Sequence, residues 1–277
     1  MLALALLLVP LGVADVGIFP DLDGQVELQL PTFDRKTARV SHDPRHGMLL
    51  LWADDHALRA YPARPDGSPV RDVDRVALDG LPRGPAPPFA DTDGDGIPDD
   101  LDVAIGARKV ALNGARYSQE YRQLPYPGGD VPREQGACTD TVVRALRNAG
   151  IDLQKEIAED IARARRVYSF VRSANASIDH RRVKTLLPWF ERHWTRVDEK
   201  APWHAGEVVF FDTFPSRPGP DHIGLVSDKS GPSGLPLVIN NWDAGYRDGD
   251  MDLLPSVPVT HRFRPPARRT RGAARRP

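Results

Sequence analysis

The chain has 277 residues, 40% of them hydrophobic and 27% charged, with a formal net charge of −1. That length can bury one substantial core plus a smaller module, and the composition is that of a folded globular protein. A single cysteine, Cys138, excludes an internal disulfide and a cysteine-based zinc site, and 27 prolines argue for long loops over a helical bundle. Seven arginines and no acid follow His261, which leaves −8 on the remainder. This basic tail lacks aromatic platforms and groove-reading elements, so nucleic acid is not an expected partner.

Residues 1–14 are nearly all Leu, Ala and Val, too short a run to span a bilayer comfortably. They read as the apolar part of a secretory signal, with Gly12-Val13-Ala14 as a cleavage site, although the usual basic start is missing. A secreted or periplasmic location in a bacterial cell envelope is the expectation, with no stable membrane span and a monomeric protein. Residues 20–80 alternate short apolar runs with turn clusters, and strands are predicted at 26–30, 48–52 and 57–61 in a small β-rich region without evident chemistry. His42, His46 and His56 lie scattered among Asp and Arg and read as surface residues.

Residues 81–90 form a Pro-rich linker. Residues 91–102 follow the spacing of a calcium loop. Asp91, Asp93, Asp95, Asp99 and Asp102 stand at positions one, three, five, nine and twelve, Gly96 makes the turn, and the Ile97 carbonyl is the seventh-position ligand. Asp replaces the usual Glu at the last position, and prolines stand where an entering helix would be. The loop resembles the single Asp-rich loops of thrombospondin type 3 repeats and bacterial envelope proteins. A structural Ca²⁺ is expected, pinning the linker to the following helix.

That helix is predicted over 99–121, followed by a Pro- and Gly-rich loop at 126–132 and a second helix beginning at Cys138. In this second helix Val142, Val143, Leu146 and Ala149 form one apolar stripe, Arg144, Arg147 and Asn148 are expected to face water, and Gly150 stops it. A helix N-terminus favours thiolate over thiol through its free N–H groups and dipole, so a nucleophilic cysteine is well placed there; the competing reading is a small buried core residue. Further helices are predicted over 152–166 and up to about 194, then strands at 206–212, 221–228, 237–241 and 258–263. Helices followed by hairpin-linked strands predict an α+β fold with an antiparallel sheet over 103–264, and residues 265–277 an Arg-rich disordered tail.

His222 opens one of these strands and Asn240 closes the next. An imidazole can take a thiol's proton and return it to a leaving amine, and a side-chain carbonyl on its far nitrogen can orient it. On adjacent antiparallel strands the two side chains can be neighbours.

The runs Gly206-Glu207-Val208-Val209, Asp221-His222-Ile223-Gly224 and Val238-Ile239-Asn240 resemble the core of NlpC-type, papain-like cysteine peptidases active on bacterial cell walls. Closer still is the resemblance to a bacterial family called domain of unknown function 1287, through Tyr126-Pro127-Gly128-Gly129-Asp130, Gly136-Ala137-Cys138-Thr139-Asp140, Ile178-Asp179-His180-Arg181-Arg182 and His222-Ile223-Gly224-Leu225. It covers roughly residues 104–264. The resemblance implies Cys138 as nucleophile, His222 as general base and a third residue at Asn240, where the family usually shows His-Asn and this chain has Asn240-Asn241; Asn241 and Asp243 are alternatives. Tyr126 and Gln135 are candidates for the side chain that completes an oxyanion hole with the Cys138 N–H. Asp140 would oppose thiolate formation unless it faces water or binds an arginine. The stretch from Asp179 to Arg182 reads first as an internally paired helix start and second as a carboxylate-binding pair, with His180 a weaker alternative base.

The expected activity is a cysteine-dependent amide hydrolase acting on peptidoglycan or other envelope peptides. The alternatives are an acyltransferase or thioesterase using the same residues, and a non-catalytic, calcium-dependent envelope binding module.

Overall fold

The computed structural model describes residues 17–267 except Pro215, Arg217 and Pro218. The signal expected at 1–14 lies outside the described residues, as does most of the tail. Among the described residues no helix is long and apolar enough to cross a membrane.

A three-stranded antiparallel sheet comes first, in the order β1 (Arg39–Asp43), β2 (Met48–Ala53), β3 (His56–Pro62), followed by a short helix α1 (Asp72–Leu78). The predicted strand at 26–30 is not one. Val26 and Leu28 do alternate inward as an extended chain, but Gln29 N–H goes to the Asp228 carboxylate instead of to a neighbouring strand. Nor does the Pro-rich segment stand off as a spacer. It runs along β1, with Val40 N–H donating to the Pro82 carbonyl and Leu81 in the core.

Helix α2 (Asp99–Asn113) joins the two halves. Its Ile97-side end, with Leu101, Ala104 and Ile105, packs on Met48, Leu50 and Trp52 of β2, while Val103 and Ala107 face the larger core. Eleven of its fifteen residues are buried, which suits a helix covered on both sides rather than an amphipathic one. It stops at Gly114, left-handed at φ 60°, and not at 121, because the chain must turn there into the two-residue strand β4 (Arg116–Tyr117). β4 pairs in parallel with β5 (Gln135–Gly136), Tyr117 opposite Gly136.

Helices α3 (Cys138–Asn148), α4 (Leu153–Arg163) and α5 (Val183–His193) follow. The last third forms a six-stranded antiparallel sheet from β6 (Thr195–Arg196), β7 (Val208–Phe211), β8 (His222–Ser230), β9 (Pro236–Asn240), β10 (Gly249–Met251) and β11 (Val259–Arg264), in the order β10-β9-β8-β7-β11-β6. Alternation along β7 sends Val208 and Phe210 toward the helices, and Val209 and Phe211 to a second apolar layer with Val226, Val238 and Leu253. The α+β class with an antiparallel sheet is therefore the one expected.

Helices α2 and α3 approach closely at Gly106. A Cβ there would lie 2.5 Å from the Ala145 carbonyl oxygen and 2.6 Å from Asn148 Cβ. Gly106→Ala should thus destabilise the protein by about 1–3 kcal/mol in urea unfolding, because overpacking exceeds the gain of roughly 1 kcal/mol that Ala brings to a helix interior. An unchanged midpoint would mean the helices separate at no cost.

Arg144 and Asn148, expected to face water, are buried. Arg144 donates Nε to Asp130 at 2.9 Å and one terminal nitrogen to the Val131 and Pro132 carbonyls, which clamps the 126–132 loop onto α3. Asn148 donates to Asp102 and accepts from Ile18 N–H at 3.0 Å. Both meet neighbours distant in sequence, which helical periodicity does not register.

Candidate active site

Cys138 is the first residue of α3, with Ala137 as N-cap in extended conformation. Asp140, three residues past the cap, returns its Oδ2 to the Ala137 N–H at 2.7 Å, and so fixes the first turn. Asp140 faces neither water nor the thiol alone. It is 2% exposed and is gripped by Arg181 through Nε at 2.7 Å and Nη2 at 3.0 Å. That settles the stretch from Asp179 to Arg182 as structural: Arg181 holds Asp140, and Arg182 pairs with Asp179 at 3.1 Å. His180 is also buried, and burial lowers its pKa to about 4.

Helix α3 packs against β8, which brings Cys138 to the start of that strand. The backbone N–H groups of Ile223, Thr139 and Cys138 itself act on the sulfur electrostatically. Those of Thr139 and Cys138 belong to the helix start, and that of Ile223 comes from β8. They lower the thiol pKa, but burial acts more strongly and Asp140 adds to it, so Cys138 is pushed up to about 12. The helix terminus alone therefore does not make a resting thiolate.

His222 opens β8 opposite Phe211. Its Nε2 lies 3.1 Å from Asn240 Oδ1, and since an amide oxygen only accepts, Nε2 carries the proton and Nδ1 the lone pair. Asn240 is fully buried and its Nδ2 donates to the Val238 carbonyl at 3.2 Å, which fixes the amide orientation. The contact is diagonal, not directly across. Leu225 pairs with Ile239, so Gly224 stands beside Asn240, and a Cβ on Gly224 would come within 3.1 Å of Asn240 Cβ. The bare glycine leaves room for Asn240 to lean toward the imidazole. Trp242 covers the pair, its ring centroid 4.7 Å from that of His222. Burial lowers the His222 pKa, with the Asn240 hydrogen bond opposing.

Of the alternatives for the third residue, Asn241 turns away to the carbonyls of Ala115 and Gly136, and Asp243 is exposed. Of the expected oxyanion candidates, Tyr126 is exposed and Gln135 Oε1 faces Arg122. Tyr117, on β4 opposite Gly136, is near enough to Cys138 for the thiol to act on its phenol. Its pKa is raised to about 12 by burial and by the nearness of Cys138, so it stays a donor. Only the β4–β5 pairing puts it there, and no local motif announces it.

The acidic loop stands elsewhere. Asp91, Asp93 and Asp95 offer carboxylate oxygens within 4.8 Å of one another, and Asp91 accepts from Gly94 N–H at 2.8 Å and Gly96 N–H at 3.1 Å. α2 begins at loop position nine. Asp99 accepts from the Thr92 N–H and hydroxyl, and Asp102 from Asn148. The loop touches the far end of α3: a Cβ on Gly150 would lie 2.8 Å from Asp93 Cβ.

The molecule is thus an α+β protein with a Cys, a His and an Asn gathered at one helix–sheet junction. Comparison places it more closely: residues 104–265 match the family described as Domain of unknown function (DUF1287), and the chain belongs to that family. It is 43% identical over 157 residues to the Uncharacterized protein YijF of Escherichia coli (strain K12), across 54% of this chain and 75% of that one. Among solved structures, NlpC2 and NlpC1 from Trichomonas vaginalis match with TM-scores of 0.38 at 13% and 14% identity, each covering 79% of this chain. The match spans 57% and 54% of those two chains, little over half their length.

Proposed function

We propose that this protein is an exported cysteine-dependent amide hydrolase acting on peptides of the bacterial cell envelope, with Cys138, His222 and Asn240 as its catalytic group. The observation that carries the proposal is the 3.1 Å His222–Asn240 contact at the start of β8, where the N–H of the next residue, Ile223, acts on the Cys138 sulfur. As the sulfur attacks a carbonyl carbon, its proton passes to His222 Nδ1, since burial keeps the resting pair as thiol and neutral imidazole. The carbonyl oxygen gains the negative charge, and the Cys138 N–H and the Tyr117 hydroxyl are the donors proposed to bind it. His222 returns the proton to the departing amine as the C–N bond breaks, leaving a thioester. Water then attacks the thioester with His222 again as base, and the carboxylic acid leaves. Asn240 keeps the imidazole edge-on through both halves.

The test is product analysis. Purified wall peptides incubated with the protein should yield new amine and carboxyl ends, and Cys138→Ala should yield none. Unchanged hydrolysis by Cys138→Ala would end the proposal. Transfer of the acyl group to added hydroxylamine without free acid would favour the acyltransferase alternative. One observation favours a non-catalytic binding module, the strongly raised thiol pKa; that reading requires a thiol indifferent to His222.

The proposal includes a structural Ca²⁺ at the acidic loop. The fit is chemical: three carboxylates converge, a hard-oxygen donor set that repels itself without a cation. Calcium at millimolar concentration should raise Tm, and Asp93→Asn or Asp95→Asn should remove most of the rise. A Tm indifferent to calcium in the unaltered protein would remove the ion from the account.

A further inference from the structure

Beneath the nucleophile helix lies a titratable group with no part in this reaction scheme. Asp248, just before β10, is 5% exposed. One carboxyl oxygen accepts from the Thr141 hydroxyl, in the first turn of α3, at 2.5 Å. The other is buried and has no hydrogen-bond partner among the described residues. Asn241, itself fully buried, adjoins Asp248, since its Nδ2 and the Asp248 N–H both donate to the Ala115 carbonyl at 2.9 Å. The same Nδ2 donates to the Gly136 carbonyl at 3.2 Å, and Asn241 Oδ1 also lacks a partner.

Two adjoining side chains thus each leave one acceptor oxygen unmatched. A carboxylate cannot satisfy an amide oxygen, but a carboxylic acid can, by donating its O–H. If Asp248 were ionised, the amide would have to turn its Nδ2 toward the carboxylate and release the two carbonyls. No cation is paired with the carboxyl, for among the described residues Asp248 has no salt bridge within 4.0 Å. Arg144 acts on it from α3 and lowers its pKa, but Arg144 Nε goes to Asp130 and Nη2 to the Val131 and Pro132 carbonyls, the buried Nη1 has no hydrogen-bond partner among the described residues, and Asp140 is committed to Arg181. Arg247, next in sequence, turns to the Gly114 carbonyl.

We infer that Asp248 is held in the folded protein as the carboxylic acid, donating to Asn241 Oδ1, and that this proton positions the β4–β5 ribbon. The ribbon carries Tyr117 at one strand and leads from Gly136 into Cys138 at the other. Asp248 touches no reacting atom and is a positioning residue; its effect on catalysis rests on the hydrolase reading, while its protonation does not. Burial is the leading cause that raises its pKa from 3.8 to about 7. The sign follows from linkage. The folded state binds the proton more tightly than the unfolded chain, so this group's stabilising share is full below pH 4. It declines as pH rises toward 7 and is lost above it.

Asp248→Asn tests the inference, since its Nδ2 donates permanently where the acid donates only when protonated, and its Oδ1 still accepts from Thr141. Thermal unfolding of both proteins at about pH 5.5 and about pH 8.5 isolates this group, because every other titration is common to both. The Tm of the variant relative to the unaltered protein should rise from the lower pH to the higher. The ratio of Cys138 alkylation rates, variant over unaltered, should rise at least about threefold over the same range, a change that a merely space-filling Asp248 would not produce. Asp248→Leu, with no donor, should be less stable at both pH values. A Tm difference between Asp248→Asn and the unaltered protein that does not change with pH overturns the protonation. A flat rate ratio overturns the positioning. An inert Cys138 with the Tm pattern intact would count against the hydrolase reading and leave the protonated Asp248 standing.

Discussion

Replacing His222 by Ala should lower hydrolysis by about 100- to 10,000-fold with the protein still folded, as loss of a positioned general base does elsewhere. Cys138→Ala should remove turnover altogether. Asn240→Ala should cost less, because the imidazole remains but loses the amide oxygen 3.1 Å from Nε2 that sets its tautomer. The pH profile carries a further signature. Burial holds the His222 pKa below its ordinary 6.5, so the acid limb of activity should fall below pH 6.5. Rates measured across pH for the three variants check the set; a His222→Ala protein as active as the unaltered one would exclude His222 as the base.

The largest loss of stability should follow Arg181→Ala. The substitution strands Asp140, 2% exposed, whose carboxylate then keeps the Ala137 N–H at 2.7 Å as its remaining hydrogen bond among the described residues. Removing one partner of a buried ion pair costs about 3–5 kcal/mol, since the remaining charge is left in low dielectric. For a chain of this size that is a Tm lower by roughly 10 °C. Arg181→Lys should recover only part, because a single ammonium cannot reproduce the two-pronged contact at 2.7 and 3.0 Å. A change within about 0.5 kcal/mol, the usual size for a surface residue, would mean that Asp140 finds water instead. The pair also bears on chemistry: an unpaired Asp140 would raise the Cys138 pKa further than it does now.

The parts of this fold that are legible in the sequence are those written in local pattern. The apolar runs of β7 and β8, the apolar stripe of α3 and the stop at Gly150 all correspond to observed elements. So does the meeting of His222 with Asn240, because residues at the ends of sequential antiparallel strands have few places to go. What the pattern did not show depends on partners far away in sequence. Residues 26–30 alternate as a strand does, yet their backbone has Asp228 in place of a ladder. Arg144 carries a charge that reads as solvent-facing, yet Asp130 and two carbonyls draw it inside. Tyr117 reaches Cys138 only through a pairing two residues long, and Asp248 reaches Asn241 across a turn that has no period at all. The thiol shows the same limit in electrostatics. Its helix-start position is local and readable, whereas the burial that outweighs it belongs to the assembled core.

The central claim is that His222 activates Cys138, and the sole cysteine makes it directly measurable. Iodoacetamide alkylation at neutral pH, followed for the unaltered protein and for His222→Ala, reports on that one thiol. With a thiol pushed up to about 12 by burial, reaction at neutral pH depends on a neighbouring base taking the proton. The account predicts alkylation at least about tenfold slower in His222→Ala, with an intermediate rate for Asn240→Ala. Equal rates in all three proteins would contradict it and leave Cys138 a packed core residue.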